Sequence, residues 1–144
     1  MINKFMDILI GIVALFTIYI LFLMFWPYKV YEVYTQPLPV TPTIVNAGEH
    51  VTVHVDSEKF MEIPALCSTL LFNDTVILLP DTKSNLPKGK IDIKWKVKIP
   101  NYADSGTYRV RITLTFWVNF LRNIVQTYET EPFTVKKLQC EGKD

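Results

Sequence analysis

Residues 107–116 read TYRVRITLTF, and the period of that stretch decides the fold. Tyr108, Val110, Ile112, Leu114 and Phe116 alternate with Arg109, Arg111, Thr113 and Thr115. A period of two places one apolar and one polar face on an extended chain, whereas a helix needs a period of 3.6. The pattern recurs upstream. In KIDIKWKVKI, residues 90–99, Ile91, Ile93, Trp95, Val97 and Ile99 alternate with Lys90, Asp92, Lys94, Lys96 and Lys98. Val51, Val53 and Val55 alternate with Thr52 and His54. Turn-forming residues separate these runs at 46–48, 73–74, 87–89, 104–106 and 119–123. Seven strands are predicted, at 38–45, 49–55, 66–72, 75–79, 90–99, 107–118 and 124–135. Strands of this length and spacing give an all-β fold, an antiparallel β-sandwich over residues 37–137. Glu131-Pro132 predicts a bulge or kink in the last strand, and residues 138–144 form a polar C-terminal tail.

The 144 residues suffice for one ordinary domain with additions. With a formal net charge of +1 there is no basic excess, and no nucleic-acid partner is expected. A hydrophobic share of 49% with mean hydropathy +0.20 is high for a small soluble domain, and the surplus lies at the N-terminus. Residues 8–26, ILIGIVALFTIYILFLMFW, carry no charge and as a helix reach about 28 Å, enough to cross a bilayer. The run exceeds the roughly 7–15 residues of a secretory signal core, and no A-x-A-like cleavage site follows. Residues 1–26 are therefore read as a tail and a single uncleaved transmembrane helix, with Trp26, Tyr28 and Tyr31 as interfacial aromatics. A short tail before a long folded segment suits a signal anchor with the sandwich on the extracytoplasmic side. Residues 27–36 are read as a juxtamembrane spacer, stiffened by prolines that continue into the first strand at Pro37, Pro39 and Pro42.

The Asp104-x-Gly106-x-Tyr108 motif, a Pro-rich first strand and Gly48-Glu49 opening the second together resemble immunoglobulin-like domains over residues 37–137. The resemblance implies that Asp104, Gly106 and Tyr108 form a structural corner in which the tyrosine hydroxyl bonds nearby backbone. Val53 or Val55 and Val110 stand where antibody-type domains carry inter-sheet cysteines, and the third strand lacks their tryptophan. Apolar packing must then hold the sheets together. The resemblance also implies that an N-terminal anchor brings the second-to-third and sixth-to-seventh strand loops to the bilayer. One loop holds Phe60, Met61 and Ile63, and the other Trp117, Phe120, Leu121 and Arg122. These are candidate contacts to lipid headgroups or an integral-membrane partner, the alternative being a lid over the core.

Other chemistry is sparse. His50 and His54 lie four residues apart on a strand, roughly 13 Å, too far to share one metal. No zinc-type spacing exists, and neither cofactor nor metal is expected. Cys67 and Cys140 could pair only if the tail folded back, the alternatives being free thiols or an intermolecular link. Asn73-Asp74-Thr75 matches a glycosylation sequon at a turn. Lys90, Lys94, Lys96 and Lys98 form an outward stripe that opposes edge pairing or meets anionic lipid, nucleic acid or an acidic protein, with Asp92 in the same row weakening the polyanion reading. No nucleophile elbow, metalloprotease helix, phosphate loop or dinucleotide fingerprint is present, and Asp56 and Glu58 fall in a predicted loop, so no catalysis is expected. The expected role is a membrane-anchored interaction or structural module with a protein partner. One alternative is a small subunit of a larger membrane complex, bound through a helix stripe of Gly11, Ala14 and Thr17. Further alternatives are a viral, phage-type membrane or host-exclusion factor, and an anchored enzyme.

Overall fold

The computed structural model describes residues 2–137, so Cys140 and the rest of the polar tail lie outside the described residues. The N-terminal segment is one helix, α1 (Ile2–Phe25). Pro27 ends it, because a proline disfavours helical geometry in the residue before it and lacks an N–H. Over Lys4–Phe25 the helix is long and apolar enough to cross a membrane, and among the described residues nothing buries it. A helix apolar all round needs an apolar environment on every side.

Eleven strands follow among the described residues: β1 (Tyr31–Val33), β2 (Val40–Thr41), β3 (Ile44–Asn46), β4 (His50–Lys59), β5 (Ala65–Phe72), β6 (Val76–Leu78), β7 (Thr82–Ser84), β8 (Gly89–Lys98), β9 (Gly106–Asn119), β10 (Arg122–Glu129) and β11 (Phe133–Lys136). They form two sheets stacked as a sandwich. In the first sheet β4 is central, with β8 on one flank and β1 and β2 end to end on the other. In the second sheet β9 is central, with β5 on one flank and β10 and β11 end to end on the other. β3 pairs with β11 in parallel at one edge, and β6 and β7 pair with β5 at the opposite edge.

Several strands depart from the predicted boundaries. The first is broken into β2 and β3, and between them the chain crosses from the first sheet to the second. Pro37, Pro39 and Pro42 remove N–H donors along this segment, which favours short pairings with both sheets over one continuous ladder. Leu38, just before β2, pairs with the second sheet between β10 and β11: its N–H donates to the Glu129 carbonyl at 2.9 Å, and its carbonyl accepts from the Glu131 N–H at 2.9 Å. The stretch expected as a spacer contains β1, and Val30, Tyr31 and Val33 are buried, so the sandwich begins almost at the helix exit. Asp56 and Glu58, expected in a loop, belong to β4. The last strand breaks at Thr130, Glu131 and Pro132, where the Thr130 hydroxyl accepts from the Val110 N–H at 2.9 Å in place of a ladder bond.

The inward faces meet in one core. Val53 on β4 and Val110 on β9 are fully buried in the middle of their sheets. Phe116, Phe133, Leu71, Ile99 and Val135 surround them. The Tyr108 hydroxyl donates to the Asp104 carbonyl at 3.0 Å. Beside it Gly48 adopts φ +91°, and a Cβ there would overlap the Asn101 carboxamide. That turn requires glycine.

Candidate functional site

A helix C-terminus leaves carbonyl oxygens without intrahelical partners, and these carry the negative end of the helix dipole. In α1 the turn between β9 and β10 supplies donors to them. The Asn119 side-chain amide donates to the Leu23 carbonyl at 2.9 Å. The Arg122 guanidinium donates to the Met24 and Trp26 carbonyls, each at 2.8 Å. A cation at this end also complements the dipole. The turn is itself fastened, because the Asn119 side-chain oxygen accepts from the Leu121 N–H at 2.9 Å. Arg122 further lies over the Tyr28 ring, 5.9 Å from its centroid.

The sandwich is thereby held against the helix exit, and its aromatic turn points outward. Trp117 is 62% exposed and Phe120 75%, and Leu121 is also exposed, at the level where Phe25 and Trp26 leave the helix uncovered. The loop after β4 meets the same place. Its Phe60 N–H donates to the Val30 carbonyl at 2.9 Å, and the Lys29 ammonium sits 4.4 Å from the Phe60 ring centroid. Phe60 is only half-exposed, and Met61 packs against the core. Both loops thus gather at one end, with the residues after β9 presenting the apolar surface. The corner residues Asp104, Gly106 and Tyr108 lie at the opposite end. Gly11, Ala14 and Thr17 stay exposed on α1, where the Thr17 hydroxyl turns back to the Val13 carbonyl at 2.9 Å.

The remaining candidates are scattered. His54 bonds the Thr41 hydroxyl through its ring at 3.0 Å, while His50 is exposed. Lys90, Lys94, Lys96 and Lys98 line the outer face of β8, which pairs with β4 alone and so is an edge strand. Asn73 accepts from both the backbone and the hydroxyl of Thr75, at the end remote from α1.

One feature was missed in the sequence. A cavity of about 410 Å³ lies between the sheets in the half nearer α1, walled by Val33, Val55, Ile93, Trp95, Leu114 and Phe116 among others. Lys59 also lines it, is only 3% exposed as a residue, and donates to the Leu86 carbonyl at 2.6 Å. Burial pushes the pKa of this ammonium below its ordinary value. Burial pushes the Tyr31 phenol and the Cys67 thiol up, and Tyr128 up to about 12, so these lining groups are neutral at physiological pH. Tyr31 donates to the Ser57 hydroxyl at 2.8 Å. The available signal was the inward phase of β4, which passes from Val51, Val53 and Val55 to Ser57 and Lys59.

No family model matches the chain, and no curated protein matches it. Among solved structures, the chain is similar to an alkylpurine DNA glycosylase of Pseudomonas fluorescens bound to DNA with an abasic-site analogue. That match has 14% identity and a TM-score of 0.44, covering 74% of this chain and 30% of that one. It is also similar to a beta-glucosidase of Listeria innocua in complex with glucose, at 19% identity and a TM-score of 0.43, covering 76% of this chain and 16% of that one. The chain therefore spans less than a third of the length of either structure. These neighbours correct one expectation: they are enzymes, so the exclusion of catalysis drawn from missing motifs is not retained. The likeness is one of fold at low identity, and no activity is read from it.

Proposed function

We propose that α1 crosses a membrane and that the sandwich is immunoglobulin-like, resting on the extracytoplasmic surface as an interaction or structural module for a protein partner. The fold assignment is supported by the parallel pairing of β3 with β11, by a first segment that changes sheets, and by the corner bond of Tyr108. The observation that carries the functional reading is the bonding of Asn119 and Arg122 to the Leu23 and Met24 carbonyls at the end of α1 and to the Trp26 carbonyl just beyond it. It holds exposed Trp117 and Phe120 at the depth where a spanning helix leaves the hydrocarbon, a position suited to aromatic and basic side chains. A partner binding there would meet a surface already fixed in orientation to the bilayer.

The test places the full chain in nanodiscs with Trp26→Phe and Trp95→Phe, leaving Trp117 as the only indole. Lipids bearing a nitroxide at the headgroup should quench it strongly, and an unquenched Trp117 would remove the reading. For the partner, crosslinking in membranes should capture the same protein after α1 is exchanged for an unrelated spanning helix. That capture should be lost when Trp117 and Phe120 are replaced by serine. Loss on the helix exchange alone would move the binding element into α1.

A further inference from the structure

We infer that the cavity between the sheets is a binding site for a single-chain anionic amphiphile, an alkyl chain ending in a carboxylate or phosphate, with Lys59 holding the anionic end. The volume of about 410 Å³ falls in the ~300–1,000 Å³ range of small-molecule sites, and the wall has their character, apolar with a few polar groups. Ile93 and Trp95 on β8 face inward by strand phase yet stay half-exposed, because the opposite sheet does not close over them. Exposed Thr82, Lys83 and Asn85 border the opening.

Lys59 supplies the second, independent observation. An ammonium has three donors, and one of them reaches the Leu86 carbonyl. Among the described residues Lys59 forms no ion pair: the four salt bridges are Lys29–Glu32, Arg109–Glu129, Arg111–Glu129 and Lys137–Asp104. Glu62 lies near enough to favour the charged form, but it is exposed and outside the cavity lining. A buried cation without a counter-ion is costly, and an anion entering the cavity would remove that cost. The apolar walls would take the chain and Lys83 would add a second positive charge at the opening. Tyr31, Cys67 and Tyr128, neutral at physiological pH, would not repel the anion. Fatty acids and monoacyl phospholipids share this chemistry.

The experiment uses the full chain in phosphatidylcholine nanodiscs with Trp26→Phe and Trp117→Phe, so that Trp95 in the cavity wall is the only indole. Bromododecanoate should quench Trp95 saturably, and Lys59→Met should weaken its apparent affinity about tenfold or more, as expected for losing a charged hydrogen bond. Bromododecanol, which lacks the anion, should quench both proteins alike, showing that the cavity survives the substitution. Lys59→Arg should restore carboxylate binding to within about threefold. Displacement by dodecanoate but not by lysophosphatidate would identify a free fatty acid as the source, and the reverse a phospholipid. Quenching that rises linearly with bilayer-partitioned probe and is equal in all three proteins would overturn the inference, as would a Lys59→Arg protein as weak as Lys59→Met. The readout at Trp95 is separate from the depth of Trp117, so this site and the membrane-surface reading can fail independently.

Discussion

Away from α1, the two central strands, β8 and the residue after it turn Val51, Val53, Val97, Ile99, Tyr108 and Val110 inward, and all six are buried. Toward α1 the inward positions of β4 and β8 hold Ser57, Lys59, Ile91 and Ile93, and of these Lys59 and Ile93 line the cavity. The strands and their alternation are shared by both halves, so backbone pairing cannot account for the difference. The far half has its turn geometry fixed by Gly48 and Tyr108 and is filled by branched and aromatic side chains. The near half is tied to the helix by Asn119 and Arg122 and left unfilled. One end of a sandwich can thus supply its packing while the other is free to hold a ligand or a surface.

The strongest way to break this contrast is to remove a large side chain from each half. Phe133→Ala in the closed half should cost about 3–5 kcal/mol, because the fully buried ring leaves a void that its neighbours cannot fill. Trp95→Ala, though it deletes a larger group, should cost less, since one side of that indole already faces the cavity. Denaturant unfolding of the full chain in detergent measures both, and equal losses would show that the halves are packed alike. Next in size, Gly48→Ala should cost roughly 1–3 kcal/mol, as alanine must adopt φ +91° and displace Asn101. Tyr108→Phe should cost about 1 kcal/mol, the hydroxyl's bond to the Asp104 carbonyl being its single loss. A Tyr108→Phe protein as stable as wild type would mean the corner does not help close the far half.

The closed half was legible in the sequence because its information is local. Alternation at Val51, Val53 and Val55, at Val97 and Ile99, and at Tyr108 and Val110 fixes face and register, and the Asp104-x-Gly106-x-Tyr108 motif places the corner. Short pairings were not legible. β1 has three residues between Pro27 and Pro37, too few to show a period, and reads as a spacer. The candidate surface was half legible: Trp117 near the end of a strand and Phe120 in the turn after it stand out as apolar residues, but the bonds of Arg122 reach 98 and 96 positions back along the chain. The cavity arises from the incomplete cover of β8 by the opposite sheet, which no window of sequence records. Lys59 alone hinted at it, by occupying an inward phase.

The smallest expected effect sharpens the contrast most. Lys59→Met should leave stability at pH 7 unchanged or raise it, since a buried ammonium exchanged for an apolar side chain of similar length removes a cost of folding. The pH dependence gives the sign. An unfolded lysine titrates near 10.4, and burial sets the folded value of Lys59 lower. Below the folded value both states carry the proton, and the fold bears the cost of burying it. As pH rises through that value, the folded protein loses the proton first, the unfolded state binds more protons, and stability rises. Cys67 acts in the opposite sense, because its raised folded pKa lets the unfolded thiol ionise first and lowers stability at alkaline pH. The useful quantity is therefore the difference between wild type and Lys59→Met, in which the Cys67 contribution cancels. Any advantage of the methionine variant should shrink from pH 7 toward pH 10 in matched denaturant titrations. A constant difference, or a methionine variant that is clearly less stable at pH 7, would mean that the ammonium carries no burial cost, and the open half would lose the feature that most distinguishes it from the closed one.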